Sequence, residues 1–445
     1  MPRHAAPSKC RFRPWLIALA PIIALVIGGG TAVGVVLSQR DAKTDQNAQP
    51  TTAQSPTRST DAADKSEDPA PSVPRPDPEP EPQPDATFTI LAGGDILTHE
   101  PVNNSARTGQ SYDYAPLLAG IDQWVQGADL ALCHLEVPVA PEGTAPSGYP
   151  MFGAPREIVA DIAKQGWDGC STASNHSVDR GWDGIVATAD AMDEHGLGFV
   201  GTSVSKKQQR QAQQYVLGRE GQRITVAHVA ATYGTNGLPV PSGREWSVDL
   251  IDTAQLLKQA ERARDDGADL VLVSLHFGQE YRIEPTAQQL EVAQELADSG
   301  LVDMVIGHHA HISQPMTKLP GGPDGQGMWV AYGLGNMISN QDASCCVAGT
   351  ESGLLMIATV VKPADQPARV VDLQWQGVTV DRRGGHRLFP FASNLKKGAG
   401  TLSSAEMQVR RERVQSAVGD EMDELREPPT PTGPTPQVVP RSGAQ

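Results

Sequence analysis

Apolar runs in this chain repeatedly break off at an acid, an amide or an imidazole. Residues 302–306 (Val-Asp-Met-Val-Ile) lead into Gly307-His308-His309-Ala310-His311, and 269–275 close on His276-Phe277-Gly278. Upstream, 129–133 end in His134-Leu135-Glu136, 168–172 lead into Ser174-Asn175-His176, and 88–92 end in Gly93-Gly94-Asp95. Short apolar runs bounded by such groups predict buried strands. Between them lie stretches of helical spacing at 155–165, 182–195 (Ile185, Ala189 and Met192 on one side), 254–264 and 287–299. Further strands are expected at 197–200, 223–229, 328–332, 353–361 and 370–380, and a helix at 404–418. Alternating β and α elements predict an α/β layered domain with parallel strands near its centre. Sheets of that kind bind ligands outside the carboxyl ends of their strands, where these polar groups fall.

Composition sets the limits of that domain. Residues 15–37 form a 23-residue stretch without charge, long enough to cross a bilayer at about 1.5 Å per residue. Arg3, Lys9, Arg11 and Arg13 precede it and the first acid is Asp41, so 1–14 is expected as a cytoplasmic basic segment, with the rest of the chain outside the cell membrane. A cleaved signal peptide is the competing reading; the length of the run favours a single-pass transmembrane anchor. Residues 38–86 are expected to form a disordered stalk: 41–86 hold ten prolines, ten acids and four bases, with Val73 the one large aliphatic residue. Such a segment cannot bury enough apolar surface to offset its ordering entropy. A low-complexity tail is expected at 428–445, leaving 87–427 as one large domain. The net charge of −16 argues against a nucleic-acid partner, which calls for a basic face. Of five cysteines, Cys345-Cys346 are adjacent: bridging each other, pairing separately with Cys133 and Cys170, and remaining thiols all stay open.

Five patches at strand ends can converge: Asp95; Glu136; Asn175 with His176 and Asp179; His276; and His309 with His311. Each alone has a structural explanation, as a turn, a helix cap or a salt bridge. Together they form a mixed nitrogen and oxygen donor set that suits Zn, Mn or Fe, one or two ions, with a carboxylate able to bridge a pair about 3.5–4 Å apart. His176 beside Asp179 reads as a proton donor oriented by a carboxylate. Glu280, Tyr281, Asn336 and Gln341 are candidates for contacts with substrate amides or carboxylates, or for ordering loops.

Gly94-Asp95-Ile96-Leu97, His134-Leu135-Glu136, the run from Ser174 to Gly181, the run from His276 to Tyr281, Gly307 to His311, and Tyr332-Gly333-Leu334-Gly335-Asn336 resemble, in order, the motifs of the CapA family. These capsule-synthesis proteins are associated with poly-γ-glutamate and belong to the calcineurin-like metallophosphoesterase superfamily. The resemblance implies a four-layer α/β/β/α sandwich with a divalent-metal centre at its sheet ends. By position it makes Asp95, Asn175, His176, His276, His309 and His311 ligands and puts Glu136 in the place of a bridging Asp. Leu97 stands where the superfamily has an imidazole, with His99 the nearest replacement, and the triple run leaves His308 and His309 as alternatives for one ligand. The implied function is a membrane-anchored, extracellular protein of capsular polymer synthesis or export, working on the polymer or its precursor beside other capsule subunits. A non-catalytic polymer-binding or scaffold subunit is the alternative, and a secreted nucleotidase a third reading.

Overall fold

The computed structural model describes residues 84–441. The expected cytoplasmic segment, anchor and most of the stalk lie outside them. Among the described residues no helix is long and apolar enough to cross a membrane.

Two mixed sheets form the frame. The first runs in the order Arg387–Pro390, Arg369–Asp381, Ser352–Lys362, Ala86–Ile96, Leu130–Leu135, Gly169–Ser171, Gly198–Val200, and Asn336–Ile338 also pairs with Ala86–Ile96. The second runs Met316–Leu319, Met328–Ala331, Met304–His308, Leu270–His276, Gln222–Thr232, Gln213–Arg219, Gln437–Val439. Parallel pairing holds the middle of each, from Ala86–Ile96 to Gly198–Val200 and from Met328–Ala331 to Gln222–Thr232. Antiparallel strands flank the second sheet on both sides and the first on one side only, Gly198–Val200 being its other edge.

Side-chain alternation explains the layering, because successive residues of a strand face opposite sides. Ile90, Leu130, Leu132, Leu270, Leu272, Met304 and Ile306 share one core cluster between the sheets. Their neighbours Leu91, Ala131 and Cys133 pack outward with the helices Glu157–Gln165 and Gly181–Glu194. Val271, Val273 and Val305 pack outward with Thr253–Asp265 and Ala287–Asp298. The helices begin where their caps dictate. Asp252 accepts from Gln255 N–H, and Thr286 with Gln289 forms a reciprocal capping box. Ser404–Val418 is capped likewise by Ser403 and Glu406, but it adds Met407, Val414 and Val418 to the core between the sheets rather than to an outer layer.

One residue breaks the alternation to a purpose. Ala92 faces Leu132 across the first sheet, yet Asp95 faces His134, so the strand carries one extra residue there. This bulge flips the parity: Ile96 packs outward with Leu135, and Asp95 joins the inner face. The Gly93-Gly94 pair permits it, since a Cβ on Gly94 would stand 2.1 Å from the Gly335 carbonyl oxygen.

One expectation needs correction, and one open question is settled. Residues 428–441 are not a loose tail: Gln437–Val439 adds a strand beside Gln213–Arg219, Thr432 and Gly433 donate to Asp129, and Arg441 is buried. Their prolines block helix but leave extended pairing at a sheet edge available. Cys133 and Cys170, on adjacent parallel strands, are joined to each other, and Cys345 and Cys346 are free.

Candidate metal centre

The inner-face parity that fills the core with aliphatic residues fills its carboxyl end with imidazoles. His134, His276 and His308 each continue the inward series of their strand and are buried. The loop after Met304–His308 then turns sharply, with His309 and His311 at φ of 85° and 57°, a backbone region that side-chain-bearing residues adopt only under tertiary constraint. Gly307 allows the turn to press against the next strand, where a Cβ would meet the Tyr332 carbonyl oxygen at 1.9 Å.

Asp95 sits at the centre. Its two carboxylate oxygens lie 3.1 Å from His308 Nδ1 and 3.1 Å from His311 Nδ1. His311 Nδ1 also lies 3.1 Å from Asn336 Oδ1, which leaves its Nε2 facing Glu136 Oε1 at 3.7 Å. On the other side of Glu136, His276 Nε2 stands 4.0 Å away and 2.8 Å from Asn175 Oδ1. A line of hydrogen bonds runs back from there, His276 Nδ1 to His134 Nε2 at 3.0 Å and His134 Nδ1 to Ser171 Oγ at 2.7 Å. Three groups can each offer converging ligand atoms: Asp95, Glu136 and His311; Glu280, His309 and His311; and Asp95, His134 and His308. The last is the weakest as a site, because both ring nitrogens of His134 already have partners.

Glu136 is the anomaly. It is 0 % exposed and neither carboxylate oxygen has a hydrogen-bond partner; His309 Nδ1 is also buried and unpartnered. An unsatisfied buried carboxylate is costly, and here it points among imidazoles. That donor set, carboxylates with neutral imidazoles, fits a divalent ion of the Zn, Mn or Fe kind. The electrostatics agree. Burial, with neighbouring imidazoles adding to it, pushes His276 and His134 well below the usual histidine range, and burial holds His309 at about 3, so these rings are neutral and ready to coordinate. Burial pushes Glu136 well up. Burial would also raise Asp95, but the hydrogen bonds from His308 and His311 outweigh it and hold that carboxyl well below the carboxylate range. His311 runs the other way: burial opposes its charge, yet Glu136 and Asp95 hold it up at about 9.

The expected residues do not all converge on one point. Asp95, Glu136, Asn175, His276, His309 and His311 gather as described. His176 stands apart, its Nδ1 2.7 Å from Asp179 Oδ2 and its ring edge-on to Phe152 at 4.7 Å. Glu280, Tyr281 and Gln341 line the adjoining cleft of ≈ 660 Å³. Asn336 does not reach it. Its side-chain amide is buried, spanning His311, Gln341 and the Thr350 carbonyl, so it orders the loop. His99 joins no acid–imidazole group; its Nδ1 lies 3.2 Å from the Leu97 carbonyl. Sequence reasoning passed over His134 as a site residue and kept His308 only as an alternative to His309, although the inward parity of both was readable. It also missed the loop after Gln222–Thr232, where Asn236 Oδ1 receives Asn175 Nδ2 at 3.2 Å and Tyr233 packs on His309 at 4.5 Å.

The family model for the bacterial capsule synthesis protein PGA_cap matches residues 89–341. The chain is 31 % identical over 196 residues to the capsule biosynthesis protein CapA of Bacillus anthracis, covering 43 % of this chain and 44 % of that one. It is 25 % identical over 272 residues to a probable polyglutamine synthesis accessory protein of Mycobacterium tuberculosis, covering 57 % and 67 %. The match thus spans less than half the length of the Bacillus anthracis relative. Among solved structures, a 5'-nucleotidase precursor from Thermus thermophilus aligns with a TM-score of 0.42 at 13 % identity, over 74 % of this chain and 58 % of that one. The calcineurin-like phosphoesterase YfkN from Bacillus subtilis aligns at 0.39 and 14 %, over 75 % and 98 %. The family match covers more than half of the chain and takes in every acid and imidazole gathered around Glu136, so the protein belongs to the bacterial capsule synthesis PGA_cap family.

Proposed function

We propose that this protein acts in the synthesis or export of an amide-linked capsular polymer of the poly-γ-glutamate kind, through a metal-dependent hydrolase-type site. We place the domain outside the cell, held by a membrane anchor at 15–37, next to the polymer and other capsule subunits. The similarity to capsule-biosynthesis proteins supports the process, and the charge pattern around residues 15–37 supports the placement. The site reading rests on one observation: a fully buried Glu136 carboxylate with no hydrogen-bond partner, set between His276 and His311.

Asp95, Glu136, His311, His276, Asn175 and His309 would hold one or two divalent ions. Such ions supply polarisation of an amide or phosphoryl oxygen and activation of water at neutral pH. The protein's own groups do the rest. Asp179 accepts from both His176 Nδ1 and the Phe152 N–H, at 2.7 and 2.8 Å, which fixes the His176 ring at the cleft wall. Its Nε2 is then the atom that gives a proton to a leaving group. Asn175, Asn236, Asn340 and Gln341 present amides along the same wall, matched to the hydrogen-bonding groups of a polyamide.

Leu97, buried at the cleft where the superfamily resemblance calls for an imidazole, favours a second reading, a polymer-binding or scaffold subunit without turnover. Metal analysis of the purified full chain, with assays on γ-glutamyl oligomers and on a phosphodiester, separates the two. We expect stoichiometric metal and hydrolysis, both lost in His309→Ala. A stable protein that takes up no Zn, Mn or Fe sinks the metal site, and a loaded protein without turnover leaves the scaffold reading.

A further inference from the structure

A second cleft of ≈ 520 Å³ lies back to back with the metal-side cleft, and Tyr149, Pro150, Met151 and Asp179 line both. The dividing segment is held in place from behind. Arg180, which also lines the second cleft, donates from Nε to the Phe152 carbonyl at 3.1 Å and from Nη2 to the Ala145 carbonyl at 3.0 Å, so those donors are engaged in the partition. Along the crest the side chains are bare, with Tyr149 78 % and Met151 42 % exposed.

The two clefts differ in charge. On the metal side the polar lining includes amides, Asp179, Glu280 and the imidazoles of His99, His176 and His311, with no lysine or arginine. The second cleft carries Arg107, an exposed residue whose guanidinium lies 4.9 Å over the Tyr112 ring with Nη2 2.8 Å from the Tyr112 hydroxyl. That contact takes one N–H of Nη2 and orients the guanidinium, while Nε, Nη1 and the second Nη2 N–H have no partner among the described residues, so one of the two forks that share Nη2 stays open. Fixed planar forks of this kind suit a carboxylate. Asn103 and Asn104 add amides beside it, and Glu100 and Asp179 are the acids of the lining, Asp179 being tied to His176 and the Phe152 N–H.

We propose that the second cleft is a carboxylate-binding subsite for the same chain whose reacting linkage sits at the metal side. An acidic polyamide would lay its backbone across Tyr149 and seat a side-group carboxylate on Arg107. The inference rests on the polyamide reading given above. It adds that recognition extends past the reacting unit, so short oligomers bind worse than long ones.

Titration calorimetry of the full-length protein with γ-linked glutamate oligomers of increasing length, and with the neutral γ-linked glutamine series, tests this. In the wild type we expect affinity for glutamate oligomers to rise once they are long enough to cross the partition. Arg107→Ala should cut affinity for the long glutamate oligomers by about five- to tenfold, the range for one partly solvated charge-assisted contact. It should leave the dimer and the neutral series unchanged. Arg107→Lys, which keeps the charge, should recover part of the loss. Length-independent binding in the wild type overturns the subsite alone, as does a loss in Arg107→Ala that is the same for short, long and neutral oligomers. A wild type that binds no oligomer of any length overturns the polyamide reading and the subsite together. Arg107 lies on the surface, and circular dichroism confirms that each variant is folded.

Discussion

The two ends of the parallel strands carry the same kinds of residue and treat them in opposite ways. At the amino ends an aspartate precedes the strand four times over. Asp129 accepts from Thr89 N–H, Asp168 from Ala131 N–H, Asp269 from Thr225 N–H and Asp303 from Val271 N–H, all at 2.7–2.8 Å. Each fastens its own strand to the neighbouring one, and Asp303 also takes Arg264 at 2.6 Å. At the carboxyl ends Glu136 is more deeply buried than any of them and has no hydrogen-bond donor. A carboxylate with donors built around it is structural; one left without a hydrogen bond among imidazoles waits for a cation.

That contrast can be broken by mutation at either end. Asp303→Ala should have the largest effect, a loss of about 3 kcal/mol in denaturant unfolding, because it strands a buried N–H and the Arg264 charge. Metal uptake should not change; a metal-deficient Asp303→Ala protein would show that the two ends are not independent.

Asp168 sharpens the comparison through pH. Burial pushes its carboxyl up to about 7 against an ordinary 3.8. The unfolded chain therefore gives up this proton first, and raising the pH from about 4 to about 7 favours unfolding. Asp168→Asn should remove that slope. The variant is expected to be more stable than the wild type at pH 8, by about 1–2 kcal/mol after allowance for solvent screening, and no more stable at pH 4. Equal stability of the two proteins at pH 8 would contradict the assignment.

The smallest expected effect has the opposite sign to the first. In metal-free protein Glu136→Gln should raise the melting temperature, by the equivalent of about 1 kcal/mol, because it replaces an unpartnered acid with a neutral group. His311 keeps Asp95 as its partner in that variant. With metal present the order should reverse, the wild type gaining stability from the ion and the variant gaining little. A Glu136→Gln protein that is less stable without metal would mean the acid already has a structural task.

Much of this was legible before any coordinates. Apolar runs that end in polar residues fix both the strands and the end at which a site must form, so Asp95, Glu136, Asn175, His276 and the 309–311 histidines could be named together. The pairing of His176 with Asp179 is a local, i to i+3 relation and needs no tertiary knowledge. What escaped depends on parity across a bulge or on contacts far apart in sequence. The extra residue between Ala92 and Asp95 determines which face Asp95 joins, and two glycines in a row were its one visible sign. Asn336 looked like a substrate contact because its motif is polar, whereas burial turns it to the loop behind His311. The Cys133–Cys170 link follows from the adjacency of two parallel strands, which sequence alone does not give. Strands toward the sheet margins such as Gln213–Arg219 and Arg387–Pro390 carry mixed polar patterns and were not foreseen.

The strand at Gln437–Val439 has a further consequence. It closes the open side of Gln213–Arg219, and just beyond it the Arg441 guanidinium lies 4.7 Å over Phe199 on the border strand of the other sheet. The last described residues therefore act as a clasp along the seam between the two halves of the sandwich. A version shortened at residue 427 would expose a row of free amide and carbonyl groups ready to recruit a neighbouring molecule, so loss of the clasp would be felt first as self-association, well away from the metal-binding end.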